Sequence, residues 1–161
     1  MKKIATFLAA SLALVSAQAA NATTYSPTGT WVFEGTADVY KGIQLTCDVT
    51  VTVNASATSA TATMSLSGGF LNLCNTVSFD PAYTPYNVVY DSTAGTVTLE
   101  DVYVNTITSG DCFGDVTASW NDSTNTLTVN DTIEEVDPNT GDCVISNGVL
   151  NLTSPGDVTI S

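Results

Sequence analysis

The chain has 161 residues, with sixteen acidic side chains against three basic ones, no histidine and a formal net charge of −13. So little cationic charge excludes nucleic-acid binding, whose affinity comes from Lys and Arg displacing counterions from phosphate, and gives no attraction to an anionic membrane. The absence of histidine removes the commonest base for activating a Ser or Cys nucleophile.

Residues 1–22 read as an export leader. Lys2 and Lys3 form a basic start, residues 4–15 a short apolar run, and Ala17-Gln18-Ala19 or Ala20-Asn21-Ala22 a small-x-small cleavage pattern. The apolar run is too short to span a bilayer, and no other stretch approaches the ~20 residues that a membrane helix needs. A secreted protein, exported through a bacterial periplasm and without a membrane span, is therefore expected. Without the leader, Lys41 stands alone against sixteen carboxylates, a net of −15. Residues 23–161 are predicted to form one domain, long enough to bury roughly two thirds of its unfolded surface.

Past the leader, β-branched residues alternate with polar ones and no window carries an amphipathic helix pattern, so the domain reads as all β. Strands are predicted at 30–36, 38–40 and 43–53. In the last of these Ile43, Leu45, Cys47, Val49, Val51 and Val53 share one face, with Gln44, Thr46, Asp48, Thr50 and Thr52 on the other. Strands at 61–67 and 70–77 flank Gly68-Gly69. The segment 79–86 holds two prolines, which forbid a central strand. Further strands are predicted at 87–90 and 96–105 around the hairpin loop 91–95, at 116–120 and 126–129 around 121–125, at 132–136 and 143–146 around 137–141, and at 149–153 and 158–161. Many short strands between turn signals predict a disulfide-stapled antiparallel β-sandwich, immunoglobulin-like or jelly-roll-like; a closed barrel is the main alternative.

Cys47, Cys74, Cys112 and Cys143 are an even number in an exported chain, which reads as disulfides. Three connectivities are open. Sequential pairing is expected, because each bridge then closes a loop of close to thirty residues, worth about 3–4 kcal/mol in the chain-entropy account. Without Cys-x-x-Cys or histidine a zinc site is not expected.

Catalytic carboxylate pairs are not expected either: adjacent acids such as Glu100 with Asp101, or Glu134 with Glu135, alternate to opposite faces of a strand. No cofactor is expected beyond calcium, for which Asp137, Asn139 and Asp142 form a candidate oxygen-ligand loop, although Asp, Asn, Pro and Gly are also what a plain turn selects. The aromatics Phe79, Tyr83 and Tyr86 form a candidate exposed apolar patch.

Several stretches together resemble the small secreted protein activators of alkane oxidation. They are Tyr25-Ser26-Pro27-Thr28-Gly29-Thr30, Gly42-Ile43-Gln44-Leu45-Thr46-Cys47, Ser67-Gly68-Gly69 running to Leu73-Cys74, Thr84-Pro85-Tyr86, Cys112 leading to Val116-Thr117-Ala118-Ser119-Trp120, and Cys143-Val144-Ile145-Ser146-Asn147-Gly148 leading to Leu152-Thr153-Ser154-Pro155. The similarity runs over nearly all of residues 23–161 and lies chiefly in the four cysteines and their neighbours. It implies a non-enzymatic factor that assists bacterial n-alkane use at the oil–water interface or the cell surface, with no catalytic residues to carry over. A second reading, from the Thr/Val-rich strands and the terminal segments 23–30 and 158–161, is a fibre or biofilm-matrix subunit that self-associates by strand addition. A third is a carbohydrate-binding module that stacks sugars on exposed aromatics.

Overall fold

The computed structural model describes residues 22–161, so the predicted leader lies, but for Ala22, outside the described residues. Eleven strands form: β1 (Tyr25–Ser26), β2 (Gly29–Lys41), β3 (Ile43–Ala55), β4 (Ala60–Ser67), β5 (Ser78–Phe79), β6 (Tyr86–Asp91), β7 (Thr96–Asn105), β8 (Cys112–Asn121), β9 (Thr126–Ile133), β10 (Cys143–Ser154) and β11 (Thr159–Ile160). The neighbours β2, β3, β4, β6, β7, β8, β9 and β10 are all antiparallel in that order, and β10 returns to pair with β2. The sheet therefore closes on itself as an eight-stranded up-and-down barrel.

This corrects the predicted sandwich. Alternation along a strand requires only that one face be covered, and a sheet covers its own inner face as well by curling as by packing on a second sheet. The pairings that decide the matter, Leu150↔Gly35 between β10 and β2 and Leu99↔Val116 between β7 and β8, join distant or bulged segments. Several local expectations also change. Residues 29–41 run as one strand rather than two, 143–154 as one strand with an irregularity between Ser146 and Val149, and Phe70–Thr76 is a 3-10 segment rather than a strand.

The inner face is the one that alternation marks. On β3, Leu45, Cys47, Val49, Val51, Val53 and Ala55 are buried while Gln44, Thr46, Asp48 and Asn54 are exposed. Apolar inside and polar outside is the inverse of a lipid-embedded barrel. Gly35 sits where β10 crosses closest, and a Cβ there would collide with the Val149 carbonyl oxygen. The hairpin loops form as expected: Asp91 pairs with Thr96, and the Asp91 carboxylate accepts the N–H groups of Thr93 and Ala94.

The two ends of the barrel differ. At one end β1 pairs with β11 across the opening, Tyr25 opposite Ile160. Tyr25 donates its hydroxyl to the Val88 carbonyl, Trp31 donates Nε1 to the Pro27 carbonyl at 2.8 Å, and the two rings lie 6.0 Å apart. Phe33 and Trp120 meet edge to face just inside, so an aromatic floor seals this end and leaves a void of only about 20 Å³. The opposite end carries the turn at Gly42, the 3-10 segment, and the loops 106–111 and 134–142. Both disulfides, Cys47–Cys74 and Cys112–Cys143, lie toward that end, the first tying the 3-10 segment to β3 and the second tying the start of β8 to the start of β10.

Candidate functional site: an apolar lumen with one lysine at its rim

Above the aromatic floor the barrel encloses a cavity of about 150 Å³. Its wall is built from inward positions of every barrel strand, among them Val49 and Val51 of β3, Met64 of β4, Val88 of β6, Leu99 of β7, Val116 of β8, Val129 of β9 and Leu150 of β10. Among the described residues the only hydrogen-bonding side chains on the wall are Tyr40, Lys41, Thr106 and Thr108, all at the disulfide-stapled end. There Tyr40, Ile43, Ile107 and Val144 both line the cavity and are exposed, which places the mouth.

Lys41 stands at the rim and is only 7% exposed. Its Nζ donates to the Gly141 carbonyl at 2.5 Å and to the Cys112 sulfur at 3.4 Å. Neither partner is charged. A buried cation is normally held by an anion, and this chain has sixteen carboxylates from which one might have been drawn.

The loop that holds Lys41 is itself organised by a carboxylate. Glu135 accepts the backbone N–H of Asn139 at 3.0 Å, that of Gly141, and the Thr140 hydroxyl. These bonds, the backbone N–H of Asn139 first, hold the Glu135 carboxyl below its ordinary value of 4.5. A group whose pKa falls on folding adds stability that is present above its unfolded value and lost as pH drops through the folded one. The protection factors of the Asn139 and Gly141 amides, which allow for the slower intrinsic exchange in acid, are therefore expected to fall as the solution is acidified below that ordinary value, in step with the carboxyl titration followed by NMR. In Glu135→Gln that dependence disappears; protection unaltered by acid would refute this account of the loop.

Next to the mouth stand two side chains with no packing reason to be there. Phe70 and Leu71, at the tip of the 3-10 segment, are 73% and 76% exposed. Leu71 and Asn72 take left-handed backbone angles, φ 54° and 59°, which a bulky side chain such as Leu rarely adopts. Strain of that kind persists where surrounding structure imposes it: Cys74 is bonded to Cys47, and the Gly68 N–H donates to the Asn75 side-chain oxygen at 2.9 Å. Val136, in the loop behind Lys41, adds another exposed apolar side chain at this end.

The aromatics expected to form one patch are dispersed. Tyr86 is 1% exposed, its hydroxyl without a partner, and burial followed by the nearby Asp80 charge pushes it up to about 12. Phe79 lines the lumen and meets Tyr86 edge to face. Tyr83 lies on the outer wall, stacked on Tyr103 at 5.3 Å and tilted against Phe113, so the rings direct their faces at one another. The calcium candidates order their own loop: Asp142 accepts the Glu135 N–H, and Asn139 is the left-handed residue of the turn. Among the described residues no three His, Cys, Asp or Glu side chains cluster as metal ligands would, and no helix is long and apolar enough to cross a membrane.

An apolar lumen, a sealed floor and a mouth ringed by apolar side chains define a small eight-stranded barrel, closed at one end and open at the other. The particular family is also shown. The chain belongs to the alkane oxidation protein activator PraA/PraB-like family, whose sequence model matches residues 1–160, as the resemblance around the four cysteines implied. No curated protein and no solved structure matches the chain.

Proposed function

We propose that this protein is an exported, non-catalytic factor that assists n-alkane oxidation by acting at the oil–water interface or the cell surface, with the mouth of its barrel turned toward the apolar phase. The observation that carries this reading is the gathering of exposed apolar side chains at one end, with Phe70 and Leu71 the most exposed. Family membership supplies the connection to alkane oxidation, and two disulfides suit an oxidising compartment. Strand addition to a neighbour has less support, because the barrel is closed and the terminal strands β1 and β11 already pair with each other.

Purified protein is expected to partition to hexadecane droplets and lower their interfacial tension. The double variant Phe70→Ser/Leu71→Ser should lose roughly tenfold or more of that adsorption, the scale set by withdrawing two apolar side chains from oil. Added salt should strengthen adsorption of the acidic protein to a negatively charged droplet, by screening like charges. Equal adsorption by the parent and the double variant would end this reading.

A further inference from the structure

We propose that the lumen binds a single linear aliphatic chain bearing a terminal carboxylate, the oxidised counterpart of an n-alkane, with its head held by Lys41 and its tail inside the barrel. The ligand chemistry is inferred from the lumen itself; its connection to alkane oxidation rests on the reading above.

The wall decides the tail. From Val49 and Val51 across to Leu99, Val116 and Val129 it offers no hydrogen-bonding side chain, so water inside would find few partners. An apolar void of about 150 Å³ admits a guest the size of benzene. An unbranched chain suits such a site better than a ring system, because methylenes beyond that volume can lie in the mouth between Tyr40, Ile43 and Ile107.

The rim decides the head. An ammonium group has three donors; among the described residues Lys41 directs one to the Gly141 carbonyl and one to the Cys112 sulfur, a weak acceptor. That leaves a donor, and a whole positive charge, without an anionic partner on a buried side chain that lines the cavity. Thr106 and Thr108, whose hydroxyls lie 3.3 Å apart, line the same end of the cavity. A plain alkane would gain nothing from this cation, whereas a carboxylate would form a charge-assisted hydrogen bond with it. The rest of the surface is acidic, so attraction for an anion here depends on Lys41.

The test is calorimetric titration of the intact, disulfide-bonded protein with decanoate below its micellar range, beside 1-decanol of the same chain length, with no oil phase present. Decanoate is expected to bind one per barrel, about tenfold tighter than 1-decanol. Lys41→Met keeps the length and apolar character of the stem, and should remove that preference, so that decanoate no longer binds tighter than 1-decanol. NMR contacts from the decanoate methyl group to the methyls of Val51, Leu99 and Val129 in the unaltered protein would place the tail without relying on any variant folding. The proposal is overturned if decanoate does not bind, if it binds no tighter than 1-decanol, or if its methyl contacts the outer wall. Because no droplet is present, these outcomes are independent of whether Phe70 and Leu71 engage oil.

Discussion

Replacing Trp31 by Ala is expected to lower the free energy of unfolding by about 3–5 kcal/mol, the usual cost of emptying a large buried aromatic site. Trp31 is 1% exposed and its indole N–H is bonded to the Pro27 carbonyl. Its ring meets Tyr25, and Tyr25 in turn sits on the strand that pairs with β11. Truncation would enlarge the small void of the floor, leave the Pro27 carbonyl without its donor, and loosen the β1–β11 pair from the barrel. Trp31→Phe retains most of the packing and removes the hydrogen bond, and should cost less, about 1–3 kcal/mol. Urea titration measures both. A Trp31→Ala protein within 1 kcal/mol of the parent, on the order of an ordinary surface substitution, would mean that the floor does not hold the barrel closed.

The second large effect is expected at the Cys112–Cys143 bridge, which closes a sequence separation of 31 residues. Removing it as the paired serine variant should cost about 3–4 kcal/mol by the chain-entropy account. Its position gives it a further role. Strands β8 and β9 pair in register only from Ala118↔Val129 down to Asn121↔Thr126. Above that, the Thr117 N–H turns to the Asp131 carboxylate, and contact resumes at the mouth, with the Phe113 N–H on the Glu134 carbonyl and the Val136 N–H on the Asp111 carbonyl. The bridge spans this interrupted seam from β8 to β10. Without it, the amides of Phe113 and Val136 should lose protection from hydrogen exchange before those of β2 and β3 do. The Cys47–Cys74 pair tethers the 3-10 segment to β3, so serines there should unfasten Phe70 and Leu71 while the β8–β9 seam keeps its protection. If both bridges fail with the same exchange pattern, the division of roles is wrong.

Much of the strand content was legible because each signal was local. The Ile43–Val53 alternation named the inner face of β3, and Asp91 through Gly95 named a hairpin because an Asx-type turn is written in a few residues. The four cysteines, with their neighbours, carried the family resemblance. The choice between two sheets and one closed sheet was not local: it depends on β10 finding β2 and β7 finding β8, and alternation is the same in either arrangement. Phe70 to Val77 imitated a strand, but Gly68 and Gly69, with φ of 73° and 71°, and the tether at Cys74 turn it into a 3-10 tip.

The site was legible only in part. Phe79, Tyr83 and Tyr86 share a proline-bearing stretch, yet the chain directs them to the lumen, the outer wall and the core. The signal for Phe70 and Leu71 was present, two bulky apolar residues directly after a glycine pair, but nothing local distinguishes such a tip from a buried strand. Lys41 stood out as the one cation in residues 23–161. Its burial at the rim comes from a loop a hundred residues away in sequence that brings the Gly141 carbonyl to it.

Adsorption to oil, as proposed above, would raise the local concentration far above that of the surrounding medium, and Thr/Val-rich segments are the kind that stack between molecules into fibrils when their backbones lie open. Here each of the eight barrel strands has a neighbour on both sides, although β4 meets β6 only over Ala60–Ala62 and β8 meets β9 only over Ala118–Asn121. Closure therefore leaves only short stretches of backbone open, and crowded copies would meet one another chiefly through hydroxyls and carboxylates.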